Sequence, residues 1–160
     1  MDYKFKFAIL AITASFTFSS ESHAVSATGT ATQVVVAAIS ITNVSDLNFG
    51  TAVQGAVAKT VAPGAAENAE NGSFTVSGQA STAYTITLPA NGVVTMITGG
   101  GGANQTVAVN TFLSSPAAGA SGMIGAGGTQ LLLVGATRAA LGAAQIPGSY
   151  SGSYTVDVVY

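Results

Sequence analysis

Hydrophobic and polar residues alternate along much of the chain after its first 24 positions. Short alternating runs rich in Thr and Val, separated by turn residues, are typical of half-buried β-strands. The predicted strands are Leu47–Phe49, Phe74–Gly78, Tyr84–Leu88, Val93–Ile97, Thr106–Phe112, Thr129–Val134 and Thr137–Leu141. No stretch shows a sustained apolar stripe at the helical period with capping residues at its ends. The pattern therefore predicts an all-β protein, folded as a single antiparallel β-sandwich.

One turn signal along this pattern is more specific than the others. Asn91-Gly92 separates the run Thr85–Pro89 from the run Val93–Ile97. Both residues tolerate a positive φ, which the tight turns of β-hairpins require. We therefore expect these two runs to pair as a hairpin.

The C-terminal segment alternates from Tyr150 to Tyr160. One face of a strand there would carry Tyr150, Gly152, Tyr154, Val156, Val158 and Tyr160, and the other face Ser151, Ser153, Thr155 and Asp157. The last residues of a domain are usually frayed. A strand that runs to Tyr160 therefore suggests a terminus that is itself bound or recognised.

The first 24 residues have the pattern of a signal peptide. Lys4 and Lys6 precede the apolar run Phe7–Phe18, and Ser22-His23-Ala24 fits a signal-peptidase site. The run is shorter than the roughly 20 apolar residues that a transmembrane helix needs. We therefore expect cleavage between Ala24 and Val25 and export of the mature chain, with an uncut membrane anchor as the alternative.

Charge is scarce, at 6% of residues, against about 25% in an average globular protein. Once the leader is removed, Lys59 and Arg138 are the only basic residues. A chain so poor in Lys and Arg cannot neutralise a run of phosphates, so we expect no nucleic-acid partner.

The residue types of common catalytic sites are also missing. The chain has no Cys, and its single His lies in the leader, which excludes Ser-His-Asp and Cys-His sites in the mature chain. Glu67 and Glu70 stand close together, but in a turn-rich stretch that we interpret as a solvated loop. We therefore predict no catalytic, metal-binding or cofactor-binding residues, no small-molecule substrate and no enzymatic activity.

Both ends of the mature chain carry blocks that resemble a known family. These blocks are a Thr/Ala/Val-rich arm, Ile39-Ser40-Ile41, Leu47-Asn48-Phe49-Gly50-Thr51, Gly148-Ser149-Tyr150 and the terminal Val156-Asp157-Val158-Val159-Tyr160. Together they look like a cysteine-free, secreted bacterial domain family of unknown function. More distantly, they are similar to the spore-coat-U-type pilins of archaic chaperone–usher pili.

The resemblance implies an immunoglobulin-like sandwich that lacks its last strand and is completed by a donor strand. A periplasmic chaperone fills the open groove first, and the N-terminal extension of the next subunit then replaces it. Because donor and acceptor surfaces differ, copies add head to tail and form a filament. The expected partners are further copies of the chain, the chaperone and an outer-membrane usher. The expected product is a fimbrium at the cell surface or in the extracellular space, serving adhesion or biofilm formation.

The resemblance also divides the chain into a signal peptide (1–24), a donor extension (25–36) and a sandwich domain (37–160). One register of the donor turns Thr28, Thr30, Thr32, Val34 and Val36 inward, and the other turns Ala27, Gly29, Ala31, Gln33 and Val35 inward. We prefer the first, since the second buries the Gln33 amide unpaired at about 1–3 kcal/mol. The expected groove edge, which would also meet the chaperone, comprises Tyr154, Val156, Val158 and Tyr160.

Three alternatives remain open from the sequence. The extension could be the first strand of its own sandwich rather than a donor. The protein could be a secreted monomeric β-sandwich that binds a carbohydrate or host surface through Tyr84, Tyr150 or Tyr154. It could also be a small outer-membrane β-barrel, since the last strand of such barrels often ends in an aromatic residue, as Tyr160 does here.

Overall fold

The computed structural model describes residues 24–160, which form nine β-strands and no helix. The strands are β1 (Ser40–Ser45), β2 (Lys59–Val61), β3 (Gly72–Ser77), β4 (Ala83–Thr87), β5 (Val94–Ile97), β6 (Thr106–Ser115), β7 (Gly119–Met123), β8 (Thr129–Arg138) and β9 (Asp157–Val159). All nine belong to one compact unit, residues 35–160.

The strands form two antiparallel sheets of unequal size. The large sheet has six strands, in the order β1-β3-β8-β6-β5, and β2 also pairs with β8. β8 is its centre: β3 and then β2 pair with successive parts of β8, and β6 also pairs with it. The small sheet has three strands, in the order β7-β4-β9. The predicted all-β antiparallel sandwich is therefore confirmed.

Alternation along the strands puts one face of each sheet into a shared core. Leu132 and Val134 of β8 and Val76 of β3 have no exposed surface, and Ile86 of the small sheet is 2% exposed. Ile124, just after β7, is also fully buried. Burying one such side chain stabilises the fold by about 1.5–3 kcal/mol. Because the chain has little charge with which to form ion pairs, this core is the main source of its stability.

The predicted hairpin at Asn91-Gly92 is wrong. β4 pairs with β7 and β9 in the small sheet, whereas β5 pairs with β6 in the large sheet, so the turn connects the two sheets. Gly92 does adopt a positive φ, of 80°. The turn is held by β6: the Thr111 amide donates to Asn91 Oδ1 at 2.7 Å, and the Gly92 amide donates to Asn110 Oδ1 at 2.7 Å. The prediction of a tight turn at Asn91-Gly92 was correct, but the predicted pairing of the two strands that flank it was not.

Two other strand predictions also need correction. Leu47–Phe49 is not a strand, because Asn48 folds it into a turn in which the Asn48 side chain accepts a 2.8 Å hydrogen bond from the Gly50 amide. The runs Thr129–Val134 and Thr137–Leu141 are not separate strands, since β8 continues through Gly135 to Arg138. A Cβ on Gly135 would overlap the Val61 carbonyl, so only glycine lets β2 approach β8 here.

Candidate functional site

The C-terminal segment, residues 148–160, contacts both sheets. Ser151 and Ile97 of β5 exchange two backbone hydrogen bonds, of 2.8 and 3.1 Å. Farther along, Val156 is buried in the core and β9 pairs with β4. The predicted alternation is present, but only Asp157–Val159 forms a strand rather than the whole span from Tyr150. The segment therefore ties the edge of the large sheet to the small sheet.

Tyr154 holds the middle of this segment through its aromatic ring. The ring centroid lies 6.0 Å from Phe74 in an edge-on arrangement and 5.4 Å from Phe112. A Cβ on Gly72 would collide with the Tyr154 hydroxyl, so the glycine leaves room for it. That hydroxyl is buried and has no hydrogen-bond partner. Burial, with a smaller contribution from the charge of Asp46, raises the pKa of Tyr154 to about 12.

Tyr160 fixes the point at which the N-terminal region enters the domain. Its hydroxyl accepts a 2.6 Å hydrogen bond from the Gln79 amide and donates one of 3.0 Å to the Ala37 carbonyl. Its hydroxyl passes over Gly78, where a Cβ would overlap it. The Ala37 amide also donates to the Gln79 side chain at 3.4 Å. Ala37 is thus held at both its amide and its carbonyl.

The N-terminal arm, defined as residues 25–36, is exposed and forms no strand. Its apolar residues are uncovered, with Val34 88% and Val36 52% exposed. Thr28, Thr30 and Thr32, the other predicted inward positions of a donor strand, are exposed as well. Of the predicted cleavage site, Ala24 and Val25 are exposed, while the rest of the leader lies outside the described residues.

Both sheets have open strand edges within the described part of the chain. β1 ends the large sheet and pairs only with β3, while β7 and β9 end the small sheet and each pairs only with β4. Beside β1 and β9, Ile39, Ile41 and Val158 pack against the core but are only partly buried. Unpaired backbone groups next to partly buried apolar side chains are the features that an added strand uses. Of the predicted groove-edge residues, Val158 lies on β9 itself, Val156 is in the core, and Tyr154 and Tyr160 pack as described above.

A separate cleft of about 720 Å³ lies between two loops over the β5–β6 end of the large sheet. Its walls include the block Leu47–Thr51 and the block Gly148–Tyr150, and Met96 and Val107 contribute apolar surface. These are two of the five blocks on which the family resemblance rests, and the fold brings them together. The sequence did not reveal this cleft, because about a hundred residues separate its walls.

The three tyrosines considered for carbohydrate stacking have different environments. Tyr84 is 2% exposed and donates a 2.7 Å hydrogen bond to Gln130, and burial raises its pKa. Tyr154 is packed between Phe74 and Phe112. Tyr150 lines the cleft, and its hydroxyl donates to the Ile146 carbonyl at 2.6 Å. Tyr150 is therefore the one of the three that lies at a concave surface.

The carboxylates predicted to lie in a solvated loop are exposed, but each has its own partner. Glu67 accepts a 2.7 Å hydrogen bond from the Ser73 hydroxyl, and Glu70 forms a 2.6 Å ion pair with Lys59. Within residues 24–160, no group of three His, Cys, Asp or Glu side chains is placed to hold a metal ion. The described part of the chain also has no helix long and apolar enough to cross a membrane.

A family model with the description "Domain of unknown function (DUF4402)" matches residues 39–160. The matched span includes all nine strands, the cleft and the C-terminal segment, and it leaves the N-terminal arm outside. No curated protein and no solved structure matches the chain. The expected resemblance to a domain family of unknown function is confirmed at that level, and nothing in these matches links the chain to spore-coat-U pilins.

Proposed function

This chain belongs to the DUF4402 family, a domain family of unknown function, and we propose that it is an exported structural subunit that polymerises by donor-strand complementation. The N-terminal arm of one copy adds as a strand to the sandwich of the next copy. The contact is head to tail, so it does not close and a filament results. The filament is pilin-like and serves adhesion or biofilm formation at the cell surface, after passage through the periplasm with a chaperone and an usher.

The observation that carries this proposal is the state of the N-terminal arm. A run rich in Thr and Val, which favour strands, is exposed and unpaired, although the same chain offers open strand edges in both sheets. An exposed β-prone segment favours pairing with another chain, because its backbone groups and apolar side chains are otherwise left to water. The arm has no charged residue to oppose such pairing.

The acceptor in this proposal is the free edge of β9, which ends the small sheet. Backbone hydrogen bonds to β9 supply affinity that does not depend on sequence. The apolar strip of Ile39, Ile41 and Val158 receives alternate side chains of the donor, which we assign to the register that includes Thr30 and Val34. Tyr160 holds Ala37 in place, so the arm leaves each domain from a fixed point.

The test uses the chain without residues 1–24, with and without the N-terminal arm. We expect an SDS-resistant ladder in unboiled samples and filaments by electron microscopy, and we expect both to disappear on removal of residues 25–36. Circular dichroism must show that the truncated domain still melts as a folded protein, so that lost assembly is not lost folding. If the full arm gives no ladder or filament even with a cognate chaperone, the proposal fails.

Two neighbouring substitutions test the donor and its register together. Thr30→Asp puts a charge on the inward side of the preferred register, and Ala31→Asp puts the same charge on the outward side. We expect the first to abolish the ladder and the second to preserve it. The reverse result assigns the other register. Equal ladders in both variants and in the truncation would show that the arm is not the donor.

A further inference from the structure

The two basic side chains of residues 24–160 lie directly opposite each other in the large sheet. Lys59 of β2 is the register partner of Arg138 of β8. Residues opposite each other in an antiparallel pair share a face, and like charges in that position destabilise the sheet. A neutral residue at either position would remove this repulsion between Lys59 and Arg138. Because both positions are basic in a chain with so few charged residues, we expect a negative charge nearby that offsets the repulsion.

The structure provides only part of that compensation. Lys59 Nζ pairs with Glu70 at 2.6 Å, at an exposed position. Arg138 is 5% exposed, and no carboxylate lies within salt-bridge distance of it among the described residues. Its guanidinium donates to the carbonyls of Ala139 and Val57, both at 2.8 Å, and its Nε is buried without a partner. Two positive charges thus face one carboxylate, and a buried cation without a counterion is costly.

Both cations line one open pocket of about 630 Å³. The rest of its wall consists of uncharged, mostly small side chains from residues 51–60, among them Thr51. Gly50 lies beside the ammonium group: a Cβ there would be 3.6 Å from Lys59 Nζ, and its φ of 65° favours glycine. The pocket is therefore open to solvent and carries positive charge, and Lys59 and Thr51 at its wall are residues that can donate hydrogen bonds.

We propose that the pocket between Lys59 and Arg138 binds an oxyanion, a carboxylate or phosphate group carried by a ligand. Lys59 and Thr51 donate hydrogen bonds to it, and the buried Arg138 supplies a fixed positive charge behind them. Charge-assisted hydrogen bonds to oxyanions are stronger than neutral ones, and a low-dielectric wall strengthens the attraction further. Glu70 competes with the ligand for the Lys59 ammonium. This site is independent of the N-terminal arm and of the polymerisation proposed above.

The test titrates the Thr30→Asp variant of the chain without residues 1–24, which is expected not to polymerise, with inorganic phosphate and, separately, with acetate, at constant ionic strength set by chloride. Amide chemical shifts of Thr51, Lys59 and Arg138 report binding. We expect saturable shifts confined to this pocket, and the anion that produces them identifies the oxyanion class. If neither anion produces saturable shifts there, the proposal is overturned.

Three variants separate a specific site from general charge effects. Lys59→Gln is expected to abolish binding, and Glu70→Gln is expected to tighten it about two- to fivefold, the usual worth of an exposed ion pair. Glu67→Gln is the matched control, because it makes the same chemical change at an exposed residue that does not line the pocket, and Gln keeps an oxygen to accept the Ser73 hydroxyl; it should leave the affinity unchanged. A purely structural Lys59–Glu70 pair predicts no gain in Glu70→Gln, and that result, or equal gains in Glu70→Gln and Glu67→Gln, would overturn the proposal.

Discussion

Replacing Tyr154 by Phe removes a buried hydroxyl that has no hydrogen-bond partner, so we expect the free energy of unfolding to rise. The ring contacts with Phe74 and Phe112 involve the aromatic face and edge, and Phe keeps both. The hydroxyl loses its hydrogen bonds to water on folding and gains none in return. Most substitutions that remove atoms from a protein core destabilise the fold. A stabilising one would therefore be strong evidence that the Tyr154 hydroxyl is buried without a hydrogen-bond partner.

The expected gain is about 1 kcal/mol. Leaving a polar group buried and unpaired costs about 1–3 kcal/mol, which the variant recovers. The small void left over Gly72 offsets part of this recovery, because the contacts of the missing oxygen are lost.

The difference should widen at alkaline pH. Burial, and to a smaller degree Asp46, raises the pKa of Tyr154 to about 12 from its ordinary value of 10.0. The folded state therefore keeps a phenol proton that the unfolded chain releases. The stability from this group is complete below pH 10 and is lost as the pH rises from 10 towards 12. Part of the Tyr154 side chain is exposed, and solvent screening there reduces the effect. The free energy of unfolding should therefore fall by about 1–2 kcal/mol over this pH range.

Tyr84→Phe is the matched control, because it makes the same chemical change where the hydroxyl does have a partner. Tyr84 donates to Gln130 at 2.7 Å, so its removal should destabilise the domain by about 1 kcal/mol. Urea unfolding followed by far-ultraviolet circular dichroism suits a chain without Trp, and is run at pH 7 and above pH 10. If Tyr154→Phe destabilises as much as Tyr84→Phe at pH 7, the Tyr154 hydroxyl is hydrogen-bonded in solution and the reasoning is refuted.

Three further substitutions test other contacts. Asn71→Ala removes three hydrogen bonds of a buried side chain, which donates to the Pro63 and Ala66 carbonyls at 2.7 and 2.9 Å and accepts from the Asn68 amide at 2.9 Å; urea unfolding should show that the free energy of unfolding falls by about 2–3 kcal/mol, and a loss below that of Tyr84→Phe would contradict it. Gly78→Ala places a Cβ against Tyr160 and should lower the melting temperature, whereas Gly127→Ala has open space and should not; equal melting temperatures would show that the site relaxes freely. Tyr160→Phe removes the acceptor of the Gln79 amide and should speed exchange of that amide with deuterium; unchanged exchange would mean that the hydroxyl does not hold it.

The sequence predicted the strands well where the information is local. Alternation of side chains is a property of a strand itself, so the inward positions Tyr84 and Ile86 of β4 were readable without any partner. The same holds for Val156 in the C-terminal segment. At Asn48, two local signals conflict. The alternation of Leu47 and Phe49 predicts a strand, whereas an Asn two residues before a Gly favours a turn, and the turn is what forms.

Pairing between distant strands could not be predicted in the same way. Asn91-Gly92 formed the expected kind of turn, yet the strand next to it joined another sheet, because long-range packing decides which edges meet. The facing of Lys59 and Arg138 depends on the register of β2 and β8, which no local pattern specifies. Both pockets are therefore products of topology, and only the residue types at their walls were visible beforehand.

The C-terminal segment also determines when this domain becomes stable during synthesis. Residues 148–160 are made after the other eight strands, yet they supply β9, Val156 and the Ser151 bridge, which together join the two sheets. The small sheet gains its third strand only when Val158 of β9 has been made and can pair with Ile86 of β4. Contacts between such distant positions form slowly, because a long loop has to close first. We therefore expect the domain to complete its folding only after synthesis of the C-terminal segment. On the proposed route to the cell surface, this delay would leave the chain unfolded for passage through a translocation channel.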